Sequence, residues 1–168
     1  MNDVAKVCCR WSRLISGVVV IVMVAGIAFW ISTRDISALP QPSRFETWTA
    51  TTIRGWYIHR AAAHSSLTMP ANDASEVSAG QGLFGMACAS CHGTDGRSST
   101  NIGKSMYPRA PDLGSPEVQK LSNPELFWVI RNGIRLSGMP GFGNVLSNDE
   151  IWQATYYVRS LRESPNEK

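Results

Sequence analysis

No stretch of this chain is dominated by charge of one sign. The formal net charge is +3 over 168 residues. Residues 1–13 hold Lys6, Arg10 and Arg13 against Asp3, residues 32–73 hold four arginines against three acids, and residues 74–168 are balanced at nine against nine. Without a basic patch, nucleic acid is excluded as a partner. Cysteine is scarce, with Cys8 and Cys9 adjacent and Cys88 and Cys91 far downstream. Such a distribution is not a disulfide framework. No segment reads convincingly as a β-strand, so the βαβ setting of a thiol-redox pair is missing as well. Histidine is limited to His59, His64 and His92.

Charge is also missing from Leu14 to Ile31, which reads LISGVVVIVMVAGIAFWI. As a helix, this run would be about 27 Å long, close to the hydrocarbon thickness of a bilayer. It exceeds a signal-peptide core, and the best cleavage candidate, Ile36-Ser37-Ala38, is followed by Leu39-Pro40. The length favours an uncleaved anchor over a removed signal. Lys6, Arg10 and Arg13 precede the span and Arg34 and Arg44 follow it, a slight bias that places the N-terminus inside. Trp30 suits the outer interface. Cys8 and Cys9 read either as reduced cytosolic thiols or as palmitoylation sites.

What the chain does have is Cys88-Ala89-Ser90-Cys91-His92. This C-x-x-C-H pattern attaches a c-type haem. Two thiols on one helical turn can add to both vinyl groups of a porphyrin, and the adjacent imidazole can reach the iron. A zinc site would need a second ligand pair, and Cys8 and Cys9 lie across the apolar span. A plain disulfide would leave His92 without a role.

The surrounding sequence predicts helices. Residues 37–42 break the chain with two prolines. A helix over 43–63 then opens on Ser43-Arg44-Phe45-Glu46, and Phe45, Trp48, Thr52 and Trp56 share one face. This segment reads equally as an interfacial helix lying on the membrane or as a collar on the following domain. Asp73 to Glu76 caps a helix carrying Val77, Gly80, Phe84 and Ala87. Its three glycines, at 80, 82 and 85, suggest close approach of another element. Ser122-Asn123-Pro124-Glu125 opens a helix that stops at Gly133. Ser147 to Glu150 opens the last one, with Ile151, Ala154, Val158 and Leu161 as its buried stripe, flanked by Trp152 and Tyr157. The organisation expected is a cytosolic N-terminus at 1–13, an anchor at 14–31, a linker at 32–75, a haem domain at 76–163 and a tail at 164–168.

A second axial ligand is sought among the methionines, because His59 and His64 lie in the linker. Met139 sits in Gly138-Met139-Pro140-Gly141-Phe142-Gly143, a loop held by Pro140 and loosened by glycines. A thioether there makes poor sense as core. Met106 is the alternative, and Met86 should point away.

Residues 76–162 resemble a class I cytochrome c domain, and the whole chain resembles membrane-anchored bacterial monohaem cytochromes. The resemblance rests on the Gly80/Phe84 helix, CASCHG at 88–93, Ala110-Pro111-Asp112-Leu113, Asn132-Gly133-Ile134-Arg135, GMPGFG at 138–143 and Tyr157 to Leu161. It implies an all-α haem domain with one covalent haem c held by Cys88 and Cys91, with His92 and Met139 as axial ligands. It further implies a Pro111 carbonyl that orients His92 and a Gly80/Phe84 contact with the last helix near Tyr157. Tyr107 and Arg109 become candidates for the haem propionates, with Arg109 equally readable as a solvated loop charge. The expected function is one-electron transfer between a redox donor and acceptor, without enzymatic turnover, on the periplasmic face of the inner membrane. A fixed haem subunit of a dehydrogenase or terminal oxidase is the alternative. A haem enzyme or gas sensor with a labile Met139 is a third reading.

Overall fold

A computed structural model describes residues 2–33, 37, 40–64, 68–97 and 100–162, with side chains in the first helix from Trp11 onward except Ser12. Arg34, Leu39, most of the candidate cleavage site and the tail at 164–168 lie outside the described residues. The chain divides into two compact units, Met1–Ser37 and Ala38–Lys168.

The first unit is one helix, α1, over Asn2–Ser32. It begins well before the apolar run. Within it, Arg13–Ser32 is a 20-residue span of mean hydropathy 2.7 with no buried side chain. At 1.5 Å per residue this is about 30 Å, a candidate membrane span by length and composition. The Ser32 and Thr33 hydroxyls donate to the Phe29 carbonyl at 2.8 and 3.1 Å, satisfying part of the helix end.

The second unit holds α2 (Arg44–Ala63), α3 (Ala74–Ala87), α4 (Ala89–His92), α5 (Asn101–Ser105), α6 (Pro116–Gln119), α7 (Asn123–Asn132) and α8 (Asn148–Ser160). The described residues are helical with no strand, an all-α fold as expected. Its centre is the crossing of α3 and α8. A Cβ on Gly80 would fall 2.0 Å from the Gln153 carbonyl oxygen, so only glycine permits the approach. Phe84 then reaches Tyr157, with ring centroids 5.0 Å apart. Gly82 and Gly85 face open space, so of the three α3 glycines only Gly80 serves close packing.

The predicted caps form. Ser147 accepts from the Glu150 amide at 3.3 Å, and Glu150 accepts from the Ser147 amide at 2.8 Å. At α7 the Glu125 carboxylate accepts from the Ser122 amide and hydroxyl, both at 2.7 Å. The buried face of α8 is wider than the predicted stripe, because Trp152, Thr155, Tyr156 and Tyr157 are also buried, while Leu161 is half-buried. The helix lies between two apolar clusters, one around Phe127, Ile130 and Trp152 and one around Phe84, Leu113 and Leu126. The buried Gln119 amide donates to the carbonyls of Leu113 and Val158 at 2.8 and 2.9 Å, tying α6 to α8.

Helix α2 packs within this second unit. Ile58 and Ala62 are buried, Tyr57 meets Trp128 edge-on at 5.7 Å, and the His59 ring lies 3.0 Å from the Glu125 carboxylate. The predicted aromatic face does not make the contact: Phe45, Trp48 and Trp56 are 75%, 63% and 62% exposed.

Candidate haem site

The C-x-x-C-H motif occupies the junction between α3 and α4. Cys88 ends α3 by donating its amide to the Phe84 carbonyl at 2.9 Å. Its own carbonyl accepts from the amides of Cys91 and His92 at 3.1 and 3.0 Å. One tight turn therefore carries both thiols and the imidazole. The thiols are free and half-buried. Burial, with a smaller contribution from the neighbouring Cys91, pushes the Cys88 thiol up to about 11.

His92 is buried, and its Nδ1 lies 3.2 Å from the Pro111 carbonyl oxygen. Burial lowers the imidazole pKa, and the hydrogen bond to Pro111 opposes that shift. A neutral ring that donates from Nδ1 leaves Nε2 as its unprotonated nitrogen, the atom available to a metal.

The Pro111 carbonyl is held in place by loops on either side. The Leu113 amide donates to Gly96 at 2.9 Å, and the Ala110 amide donates to Gly103 at 3.0 Å. Asp112 accepts from the Gly114 amide at 2.8 Å and pairs with Arg97 at 3.2 Å.

Two residues that sequence reasoning missed bind this frame to the motif. The Thr100 hydroxyl donates to the Cys91 carbonyl at 3.0 Å while accepting from the Gly103 amide at 2.9 Å. A Cβ on Gly103 would lie 2.1 Å from the Cys91 carbonyl oxygen. A threonine capping Asn101-Ile102-Gly103 was the available signal. Its partner nine residues upstream was not readable from local pattern.

Met139 is half-buried beside the cluster of Phe127, Ile130, Ile151 and Trp152. Its loop is clamped to the end of α7. Phe142 and Gly143 donate amides to the carbonyls of Ile130 and Arg131 at 3.0 and 2.8 Å, and the Ile134 amide donates to Met139 at 3.2 Å. Gly133 has φ +67° and ψ −172°, and a Cβ there would lie 2.6 Å from the Gly141 nitrogen. The loop glycines thus serve close backbone contact, where flexibility was expected. Beside them, exposed Leu136 takes φ +63°, an uncommon conformation for leucine. Met106, the alternative ligand, is half-buried with its sulfur against Gly138, and Met86 is exposed.

The structure thus gathers Cys88, Cys91, His92 and Pro111, and it holds Met139 in a separate anchored loop. The Tyr107 hydroxyl donates to the Glu46 carboxylate of α2, a bond that also raises its pKa. Arg109 is exposed and makes no hydrogen bond among the described residues. Two free thiols on one turn and a buried imidazole with Nε2 available are what the attachment turn of a covalent haem requires.

An all-α domain with this motif and donor set is a class I c-type cytochrome. The profile of the family described as cytochrome c oxidase, cbb3-type, subunit III, matches residues 75–158, half of the chain, and the protein belongs to that family. Its cofactor is covalently bound haem c. A relative from Sinorhizobium medicae (strain WSM419), a cbb3-type cytochrome c oxidase subunit FixP, is 31% identical over 104 residues. That alignment covers 54% of this chain and 32% of the relative, so the chain matches about a third of the relative's length. Among solved structures, the Kuenenia stuttgartiensis reducing HAO-like protein complex aligns with a TM-score of 0.53 at 24% identity, covering 57% of this chain and 48% of that one, a likeness of fold. Cytochrome CL of Methylophaga aminisulfidivorans aligns at 30% identity with a TM-score of 0.44, over 54% of this chain and 55% of that one.

Proposed function

We propose that the protein is a one-electron carrier with its haem bound through Cys88 and Cys91 and ligated by His92 and Met139. When bound, the haem supplies reversible iron(II)/iron(III) chemistry. The observation that carries this reading is the Nδ1 hydrogen bond from buried His92 to Pro111, on the same turn as both thiols. It fixes the tautomer, aims the ring and raises its basicity. The Met139 thioether would stabilise iron(II) and raise the potential relative to a second imidazole. Arg109 is exposed and is our candidate for a propionate contact, whereas the single O–H of Tyr107 is engaged by Glu46.

Two filled axial positions leave no room for a substrate, so the role is electron transfer without turnover. The reduced protein should therefore show no spectral change under carbon monoxide at neutral pH. A carbon monoxide complex forming readily would overturn the carrier reading in favour of a gas-binding haem. The apolar span at Arg13–Ser32 supports a single-pass anchor at 14–31 in the inner membrane. The haem domain at 76–163 then lies in the periplasm, where it meets a protein donor and acceptor.

The family match and the FixP relative favour a more specific setting, in which the protein is a haem subunit of an oxidase or dehydrogenase complex. Purification from native membranes in mild detergent separates the two settings. A fixed subunit migrates with partner polypeptides in constant ratio, and a free carrier migrates alone.

A further inference from the structure

Helix α2 has two apolar faces, and the second unit covers only one. Ile58 and Ala62 are buried, and His59 and Tyr57 are held by Glu125 and Trp128. Phe45, Trp48, Ile53 and Trp56 remain more than 60% exposed. An exposed aromatic patch of this size marks an interaction surface. The helix bearing it is fixed to the haem domain at both ends, through Glu46–Tyr107 and His59–Glu125.

We propose that this face of α2 docks on the lipid headgroup region of the membrane that holds α1, and so sets the orientation of the haem domain. The inference rests on the anchor reading. Eleven residues, 33–43, separate the end of α1 from the start of α2. Fully extended, that tether reaches about 40 Å, which sets the upper limit on the distance from the end of α1 to the start of α2. Tryptophan is the residue that favours the headgroup level. The exposed charge on the helix fits anionic lipid: Arg44 and Arg60 are exposed, Glu46 is engaged by Tyr107, and Arg54 is half-buried. The Arg60 guanidinium lies 5.6 Å from the Trp56 ring centroid, an aromatic and cation pair suited to the lipid interface. Three of the helix's four threonines do not demand water, because Thr47, Thr49 and Thr51 donate back to the carbonyls of Ser43, Phe45 and Thr47 at 3.0, 2.8 and 2.7 Å.

The test uses the full-length holoprotein in nanodiscs of phosphatidylethanolamine and phosphatidylglycerol. Cys8 and Cys9 are replaced by serine, and single spin labels are placed at Ile53→Cys, at Val22→Cys in the span and at Glu117→Cys, an exposed position of α6. Collision with oxygen against a water-soluble nickel chelate reports the surroundings of each label. The Ile53 label is expected to favour oxygen several-fold over the Glu117 label, and the preference should vanish in a Trp48→Ala/Trp56→Ala background. An Ile53 label as aqueous as the Glu117 label, with the Val22 label in lipid, overturns the docking while sparing the anchor. An aqueous Val22 label overturns the anchor itself. An Ile53 label that is aqueous in nanodiscs but shielded from both reagents in native membranes shows that a protein covers this face, and it also overturns the lipid assignment.

Discussion

At the scale of single residues, the site depends on backbone contacts that only glycine allows. Gly133 has a backbone conformation that costs other residues about 1–3 kcal/mol. A Cβ there would also meet the Gly141 nitrogen and the Met139 carbonyl, at 2.6 and 2.8 Å. Gly133→Ala should therefore lower stability and displace the Met139 loop. Thermal unfolding should show the first effect. Weakening of the charge-transfer band of methionine-ligated ferric haem should show the second. A variant with unchanged band and stability would mean that the loop does not depend on this contact. The C-x-x-C-H motif was legible because its chemistry demands local spacing. Thr100–Cys91, Gly133–Gly141 and Tyr107–Glu46 were not, because each joins residues that only the tertiary fold brings together.

At the scale of elements, α3 and α8 offer an internal comparison. Gly80→Ala drives a methyl into the Gln153 backbone, and overpacking of this kind typically costs about 1–3 kcal/mol. Gly82→Ala meets nothing within 4 Å, and the better helix former should stabilise by about 1 kcal/mol. Denaturant midpoints that shift in the same direction for both variants would contradict the crossing described. The helix caps should appear in the acid range. Amide and hydroxyl hydrogen bonds from Ser147 hold Glu150 below its ordinary 4.5, and the Ser75 hydroxyl with the Glu76 amide holds Asp73 below 3.8. Both carboxyls are more acidic folded than unfolded, so their contribution is complete above about pH 4.5 and is lost as the pH falls through the lowered values. Glu150→Gln should reduce stability at neutral pH and flatten its fall below pH 4.5. A parallel acid profile in the variant would count against the cap. Four helix starts were legible, since Ser43, Asp73, Ser122 and Ser147 each cap the helix they were expected to open. The docked face of α2 was not, because periodicity marks an apolar stripe without saying what covers it.

At the scale of the whole molecule, the proposed function assigns placement to α1 and chemistry to the haem domain. The anchor predicts retention in the membrane through high-salt and carbonate washes. Release by carbonate, or a mature protein beginning near Leu39, would show a cleaved signal instead. The central claim is that Met139 completes the coordination of an iron already held by His92, and the reduction potential of Met139→His tests it most directly. An imidazole favours iron(III) more than a thioether does, so the variant should show a lowered potential and a six-coordinate low-spin spectrum without the methionine band. A variant that keeps the parent's potential and spectrum would show that Met139 is not a ligand and pass the assignment to Met106.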